Sequence, residues 1–172
     1  MRHPTLFKYI VLLLCTIAIP SAQSETEPLS GIETGRNYLN ALYAFDLPEL
    51  KELLHPDAVF EDPTSDTAFP GTPWRFEGRS AILDMVRQSR DGIVSAEYHV
   101  LSEFATGEYV VFSLEYSMEF QGEMLGVPER QFSIKIPAAT ILKLKDDLVI
   151  RHVDYVNYDL MLEQMAKQSG DS

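Results

Sequence analysis

The chain has 172 residues, of which 45% are hydrophobic and 10% aromatic, and this composition fits one globular domain and excludes a disordered chain. Its 14 basic and 26 acidic residues give a formal net charge of −12, which disfavours nucleic acid and anionic membrane surfaces as partners. A chain of this length can bury a sizeable core without disulfides or structural metals.

The first 24 residues, 1–24, predict a cleaved secretory signal peptide. Two basic residues precede an almost wholly apolar run over 9–19, and small residues at 20–24 offer a cleavage site. The run is shorter than the roughly 20 residues that a membrane-spanning helix needs. Cleavage removes the only cysteine, Cys15, and two of the 14 basic residues, so 12 basic and 26 acidic residues remain, a net charge of −14. We therefore expect a secreted or periplasmic protein without disulfides, thiol nucleophile or membrane insertion.

The mature chain is predicted to hold one domain over residues 31–168, between a flexible lead-in over 25–30 and a tail over 169–172. No internal repeat or low-complexity segment interrupts it.

Two helices are predicted at the start of this domain. Apolar residues recur at helical spacing from Ile32 to Phe45. Asp46 and Glu49 form a capping box, which predicts a short second helix ending near Leu54.

A short strand, a loop and a third helix are predicted next. The strand covers 58–62, and the Pro-, Thr- and Gly-rich stretch 63–77, which holds the only tryptophan, is predicted to be a loop. Gly78 leads into the third helix and Asp91 lies at its end.

Four long antiparallel strands and a short terminal helix over residues 160–167 complete the predicted order. The apolar strand faces are Ala96, Tyr98, Val100 and Phe104; the even positions of 110–120; the even positions of 132–144; and the even positions of 148–156. The fold class is α+β: a cone-shaped, curved antiparallel sheet with a mixed edge and three N-terminal helices packed on its concave face. Such a layer leaves an interior suited to a small-molecule pocket.

Asp62 is the first candidate functional residue. It shares its strand parity with Phe60 and should face the apolar side, where burial would raise the pKa of its carboxyl towards that of a general base. Pro63 restricts Asp62 to an extended backbone, which fixes the direction of the carboxylate. The alternative interpretation is a turn aspartate before proline.

His152 and Asp154 lie two residues apart on the apolar face of the last strand, so the pair could shuttle a proton or could be a satisfied core pair. Tyr38 lies on the inner side of the first helix, where a buried hydroxyl needs a partner; core packing is the alternative. Metal binding and cofactors are not expected, because the histidines have no tight ligand spacing and no nucleotide-binding motif occurs.

Several stretches together resemble the nuclear transport factor 2-like superfamily, in its SnoaL-like and ketosteroid isomerase-like branch. They are residues 36–46, 53–63, 78–82 and 152–159, with Gln164. The resemblance covers nearly the whole mature chain. It implies the cone-shaped fold, and an activity drawn from isomerases, cyclases, dehydratases, hydrolases or non-catalytic binders.

Residue by residue, the resemblance to ketosteroid isomerase implies that Asp62 is the general base and that Tyr38, 24 positions upstream, donates to the oxyanion. Thr140 stands where that enzyme has its second oxyanion acid. Asp154 is similar to the late-strand aspartate of SnoaL-like cyclases and epoxide hydrolases. The Arg-x-Asp pair of those hydrolases is here Leu114-Glu115-Tyr116.

Three hypotheses follow for the mature protein. The first is cofactor-independent proton transfer on a small hydrophobic carbonyl compound, with Asp62, Tyr38, His152 and Asp154 as catalytic residues. The second is non-catalytic binding of a small hydrophobic ligand, and the third is an interaction module that forms a homodimer through the open sheet face. The residues predicted to contact the ligand are Phe60, Trp74, Phe76, Tyr116, Thr140 and Val156.

Overall fold

The computed structural model describes residues 31–71, 74–127 and 130–170, so the predicted signal peptide, the lead-in and the last two residues lie outside the described part. No helix within these three ranges is long and apolar enough to cross a membrane. In chain order, the elements are α1 (Gly31–Tyr43), α2 (Leu47–Leu53), β1 (Leu54–Asp62), β2 (Trp74–Glu77), α3 (Arg79–Arg90), β3 (Ile93–Thr106), β4 (Tyr109–Gln121), β5 (Gln131–Lys145), β6 (Leu148–Val156) and α4 (Tyr158–Ser169). Short 3₁₀ turns cover Ser65–Thr67 and Gly122–Leu125.

The strands form one sheet in the order β2-β1-β6-β5-β4-β3. All neighbouring pairs are antiparallel except β1 with β6, which are parallel. Helices α1, α2 and α3 pack against the face that carries the core side chains. The predicted α+β class with a mixed sheet and three N-terminal helices is therefore confirmed.

Two predicted boundaries near Asp62 were wrong. Residues Trp74–Glu77, predicted to be loop, form strand β2 against β1, with Trp74 opposite Asp62. Four residues are too few to show a periodicity, and the strand exists because β1 offers it a partner. The chain also passes from α2 directly into β1 at Leu54, so that His55 and Pro56 lie inside the strand.

Helix α4 is longer than predicted because both of its ends are capped. The side chain of Asn157 accepts a hydrogen bond from the Leu160 amide at 3.0 Å, and Gly170 ends the helix with a left-handed φ of 77°. Gln164 and Gln168 lie one turn apart and each makes a pair of hydrogen bonds to the β5 backbone, at Lys135 and Ser133, with distances of 2.7–3.0 Å. The helix is thereby fixed beside β5.

Phe104 does not lie on the inner face of β3, which corrects the sequence prediction. The β3–β4 register shifts between Val100 and Ser102, and the shift reverses the parity of the residues that follow. Phe104 is consequently 56% exposed, and Glu103 instead pairs with Arg36 of α1 at 2.9 Å.

A second register shift lies between Lys143 and Leu144 in the β5–β6 pair. Because of this shift, Val149 is fully buried, whereas the sequence predicted that the even-numbered positions 148 and 150 would face inward here. Beyond the shift, His152 and Asp154 keep the predicted inward direction and are 1% and 6% exposed.

Helix α1 approaches the sheet closely at Gly35, where a Cβ atom would lie 2.9 Å from two ring atoms of Phe112. We expect Gly35→Ala to destabilise the protein by about 1 kcal/mol, because overpacking of a core outweighs the gain in helix propensity. Gly31→Ala is the matched control, since a Cβ there meets its neighbours at an ordinary 3.5 Å. Urea unfolding of both variants checks this prediction, and equal stability of the two would contradict it.

Candidate active site

The inner face of the sheet and the helices border a partly open, apolar cavity of about 180 Å³. For comparison, an engineered cavity of about 150 Å³ binds benzene. Most of the lining is aromatic, aliphatic or thioether: Leu42, Tyr43, Phe45, Phe60, Phe69, Trp74, Met85, Val86, Ile93, Ala96, Tyr116, Met118, Phe120, Ile134, Ile136, Val156, Tyr158 and Met161. Ser89, Asp62 and Asp154 complete it, and the two carboxylates are the charged groups among the described residues of this lining.

Asp62 closes one end of β1 and is 4% exposed, and its carboxylate accepts three hydrogen bonds. Its Oδ1 accepts from the amide of Thr64 at 2.8 Å and from the hydroxyl of Thr64 at 2.5 Å. Its Oδ2 accepts from the hydroxyl of Tyr158, on α4, at 2.6 Å. All three donors are neutral, and together they stabilise the ionised carboxylate.

Asp154 lies on β6 and belongs to a second buried polar group. Its Oδ1 accepts from the hydroxyl of Thr140 at 2.5 Å and from that of Tyr116 at 3.3 Å. Its Oδ2 lies 2.9 Å from His152 Nε2, but the orientation of the ring does not satisfy a hydrogen bond, and Nε2 has no hydrogen-bond partner among the described residues. We therefore treat this contact as electrostatic. On the other side of the ring, the hydroxyl of Tyr38 lies 3.0 Å from His152 Nδ1.

Four tyrosines around these carboxylates have raised pKa values. Burial is the main cause for Tyr38, Tyr43 and Tyr116, and the negative charge of Asp154 adds to it. Burial also raises the pKa of Tyr158, which is raised further by Asp62. These hydroxyls therefore stay protonated and act as neutral hydrogen-bond donors.

The structure places the residues of the predicted site in two layers. Asp62, Asp154, Phe60, Trp74, Tyr116 and Val156 line the cavity. Three of the predicted residues lie behind this lining. Thr140 and His152 contact Asp154 directly, and Tyr38 contacts His152. Phe76 also lies outside the lining, 6.3 Å from Phe60 between ring centroids. The roles of all these residues stay predictions.

Five aromatic residues of the cavity were not among the predicted site residues: Tyr43, Phe45, Phe69, Phe120 and Tyr158. Tyr158 was predicted to precede the last helix, and only its contact with Asp62 shows its place. Phe69 lies in the loop after β1, where no periodicity operates, and stacks on Trp74 at 4.9 Å. Phe45 has a φ of 54°, an uncommon conformation for a non-glycine residue, in the turn that joins α1 to α2. Periodicity did place Tyr43, Phe45 and Phe120 on apolar faces, but it did not show that these faces line a cavity.

The comparisons agree with this architecture. The model of the SnoaL-like domain family matches residues 36–152. A protein assigned as a SnoaL-like polyketide cyclase from Shewanella putrefaciens CN-32 is 26% identical, with a TM-score of 0.72 over 80% of this chain and 96% of that chain. A second one, from Shewanella denitrificans OS-217, is 27% identical, with a TM-score of 0.72 over 80% and 97%.

A more distant structure shows the fold alone. An LEH-like epoxide hydrolase from M. tuberculosis is 17% identical, with a TM-score of 0.62 over 83% of this chain and 96% of that chain. No curated protein matches the chain. The resemblance inferred from the sequence is confirmed by the family model and by the solved structures.

Proposed function

Because this chain belongs to the SnoaL-like domain family, we propose that its cavity performs cofactor-independent proton transfer, of isomerase, cyclase or lyase type, on a small hydrophobic carbonyl compound. One observation carries the proposal: two buried carboxylates, Asp62 and Asp154, lie in a cavity that is otherwise apolar. Apolar surroundings strengthen the interactions of a carboxylate with a substrate that displaces water from it.

In this mechanism Asp62 takes a proton from the carbon next to the carbonyl group, and the electron pair moves to the carbonyl oxygen. The developing oxyanion needs donors that face the cavity. Tyr38 was predicted for this role, but it lies behind the lining and contacts His152. Tyr43 and Tyr116 line the cavity, so we assign the oxyanion to their hydroxyls. Asp62 then returns the proton it has taken to another carbon of the substrate, which restores its carboxylate, and Asp154, beside His152, is the second acid–base group that can exchange a proton with the substrate.

Non-catalytic binding of a hydrophobic ligand is the second candidate, and it has its own support. The Asp62 carboxylate already accepts three hydrogen bonds from protein groups, which suits a fixed part of the cavity wall as well as it suits a base. Under both proposals the protein is exported to the periplasm or secreted. Under both it also assembles as a homodimer through the outer sheet face, where the odd positions of β4 between 113 and 119 are partly exposed.

The test is a screen of enones, epoxides and hydroxy-carbonyl compounds, followed by blocking of the cavity. Ala96 lines the cavity from β3, and its neighbour Glu97 is exposed. We expect Ala96→Trp to lower turnover of any hit at least tenfold by steric exclusion, and Glu97→Trp, the matched control, to retain it. Turnover that survives Ala96→Trp in a folded protein would overturn the cavity as the site. Saturable binding without turnover by any compound would favour the second candidate.

A further inference from the structure

The charge in the cavity has one sign. Asp62 and Asp154 are 4% and 6% exposed, and no Lys, Arg or His is among the described residues of the lining; His152 lies behind the lining, with its Nε2 2.9 Å from Asp154. Every hydrogen-bond partner of Asp62 is a neutral donor, so no positive group compensates its charge. A buried charge without a counter-charge is costly, and a ligand that supplies one gains the corresponding energy.

The walls near Asp62 are aromatic. Phe69 stacks on Trp74 with ring planes 23° apart, and Tyr158 meets Phe69 edge-on at 85°. Phe60 lies across the same cavity, two positions before Asp62 on β1. Aromatic faces attract cations through their quadrupole, and groups of such faces are the usual means of binding substituted ammonium ions.

From this combination we propose that the cavity selects a small organic cation, an ammonium group carrying apolar substituents, which faces Asp62 and Asp154. The apolar substituents would fill the volume between the aromatic and methionine side chains. A carboxylate or phosphate ligand would face two like charges with no basic residue in the lining, and is excluded on the same ground.

This inference rests on the proposed small-molecule site but is independent of its catalysis. It also names a substrate class for that chemistry: a carbonyl compound with an ammonium substituent. The positive charge would stabilise the enolate that forms when Asp62 removes the neighbouring proton. The same ligand would be held in the cavity if the protein were only a binder.

The experiment compares three probes of similar size on the folded chain without its signal peptide: phenyltrimethylammonium, its neutral isostere tert-butylbenzene, and benzoate. Phenyltrimethylammonium is permanently charged, so its protonation does not enter the comparison. We expect it to bind at least about tenfold tighter than tert-butylbenzene, and benzoate not to bind, by NMR titration or calorimetry.

Charge variants make the assignment specific. Asp62→Asn and Asp154→Asn should each weaken cation binding about tenfold and leave tert-butylbenzene within about twofold. Asp57→Asn is the matched control, because this carboxylate on the same strand is 87% exposed and outside the cavity. Equal or tighter binding of the neutral isostere, or cation binding unaffected in both cavity variants, overturns the cation inference and leaves the proposed site standing. No binding of any probe overturns both.

Discussion

Asp62→Asn is expected to lower the turnover number of a carbonyl substrate by about 10²- to 10⁴-fold, the usual contribution of a general base. Asparagine has nearly the same shape and can still accept a hydrogen bond from the Thr64 amide, which lies 2.8 Å from Oδ1. It cannot take a proton from carbon. Because the cavity shape is retained, the Michaelis constant should stay within a few-fold, and the loss should fall on kcat.

Steady-state kinetics of a hit from the substrate screen checks this result, with Asp57→Asn as the control for removal of a charge from the same strand. Circular dichroism confirms that each variant is folded. An unchanged kcat in Asp62→Asn contradicts its role as base. If Asp154→Asn alone shows the loss, the base is the aspartate of β6, and Asp62 serves to hold Thr64 and Tyr158 in place.

Alkaline pH is expected to unfold the protein steeply. Tyr38, Tyr116 and Tyr158 are all buried, and their pKa values are raised in the folded state. In the unfolded chain a tyrosine loses its proton near pH 10, whereas the folded chain keeps it, so the folded state binds more protons above that pH. The stability is therefore fully present below pH 10 and falls as pH rises from there towards the folded-state pKa values. Each tyrosine removes about 1 kcal/mol between pH 10 and 11, or about 3 kcal/mol for the three.

Urea unfolding at pH 9, 10 and 11 measures this loss. Tyr38→Phe should reduce the stability loss between pH 10 and 11 by about 1 kcal/mol, while the lost contact with His152 costs about 1 kcal/mol at neutral pH. Tyr155→Phe is the matched control, since Tyr155 is 46% exposed, and it should leave the pH dependence unchanged. A free energy of unfolding that is constant from pH 9 to 11 would contradict the assignment of three buried, protonated tyrosines.

The strand faces could be predicted from the sequence wherever alternation ran without interruption. The even positions of β4 and β5 point inward as predicted, because one face of each strand meets the core throughout. The predicted inward direction of Phe104 was wrong because a register shift between Val100 and Ser102 reverses which residues face inward. Such a bulge cannot be recognised from the alternation of apolar and polar residues. Strand β2 was not predicted because its stability comes from pairing with β1 and not from its own residues.

The site was predictable in part for the same physical reason. Polar residues on apolar strand faces stand out, and Asp62, His152 and Asp154 are indeed buried. The strand face and the sequence spacing do not determine whether a buried side chain lines the cavity. His152 and Asp154 lie on the same face of β6, yet only Asp154 lines it. Tyr158 and Phe69 come from a helix end and a loop, where position depends on long-range contacts.

The strand order has a further consequence for how the chain acquires its structure. Strand β6 is the last to be synthesised, but it lies between β1 and β5, and the Val156 amide bonds Thr64, 92 positions earlier. Until β6 is complete, β1 and β2 form only a two-stranded hairpin, which is marginal in water. Contacts between residues so far apart in the sequence form slowly. The six-stranded sheet can therefore be completed only after β6 has been synthesised.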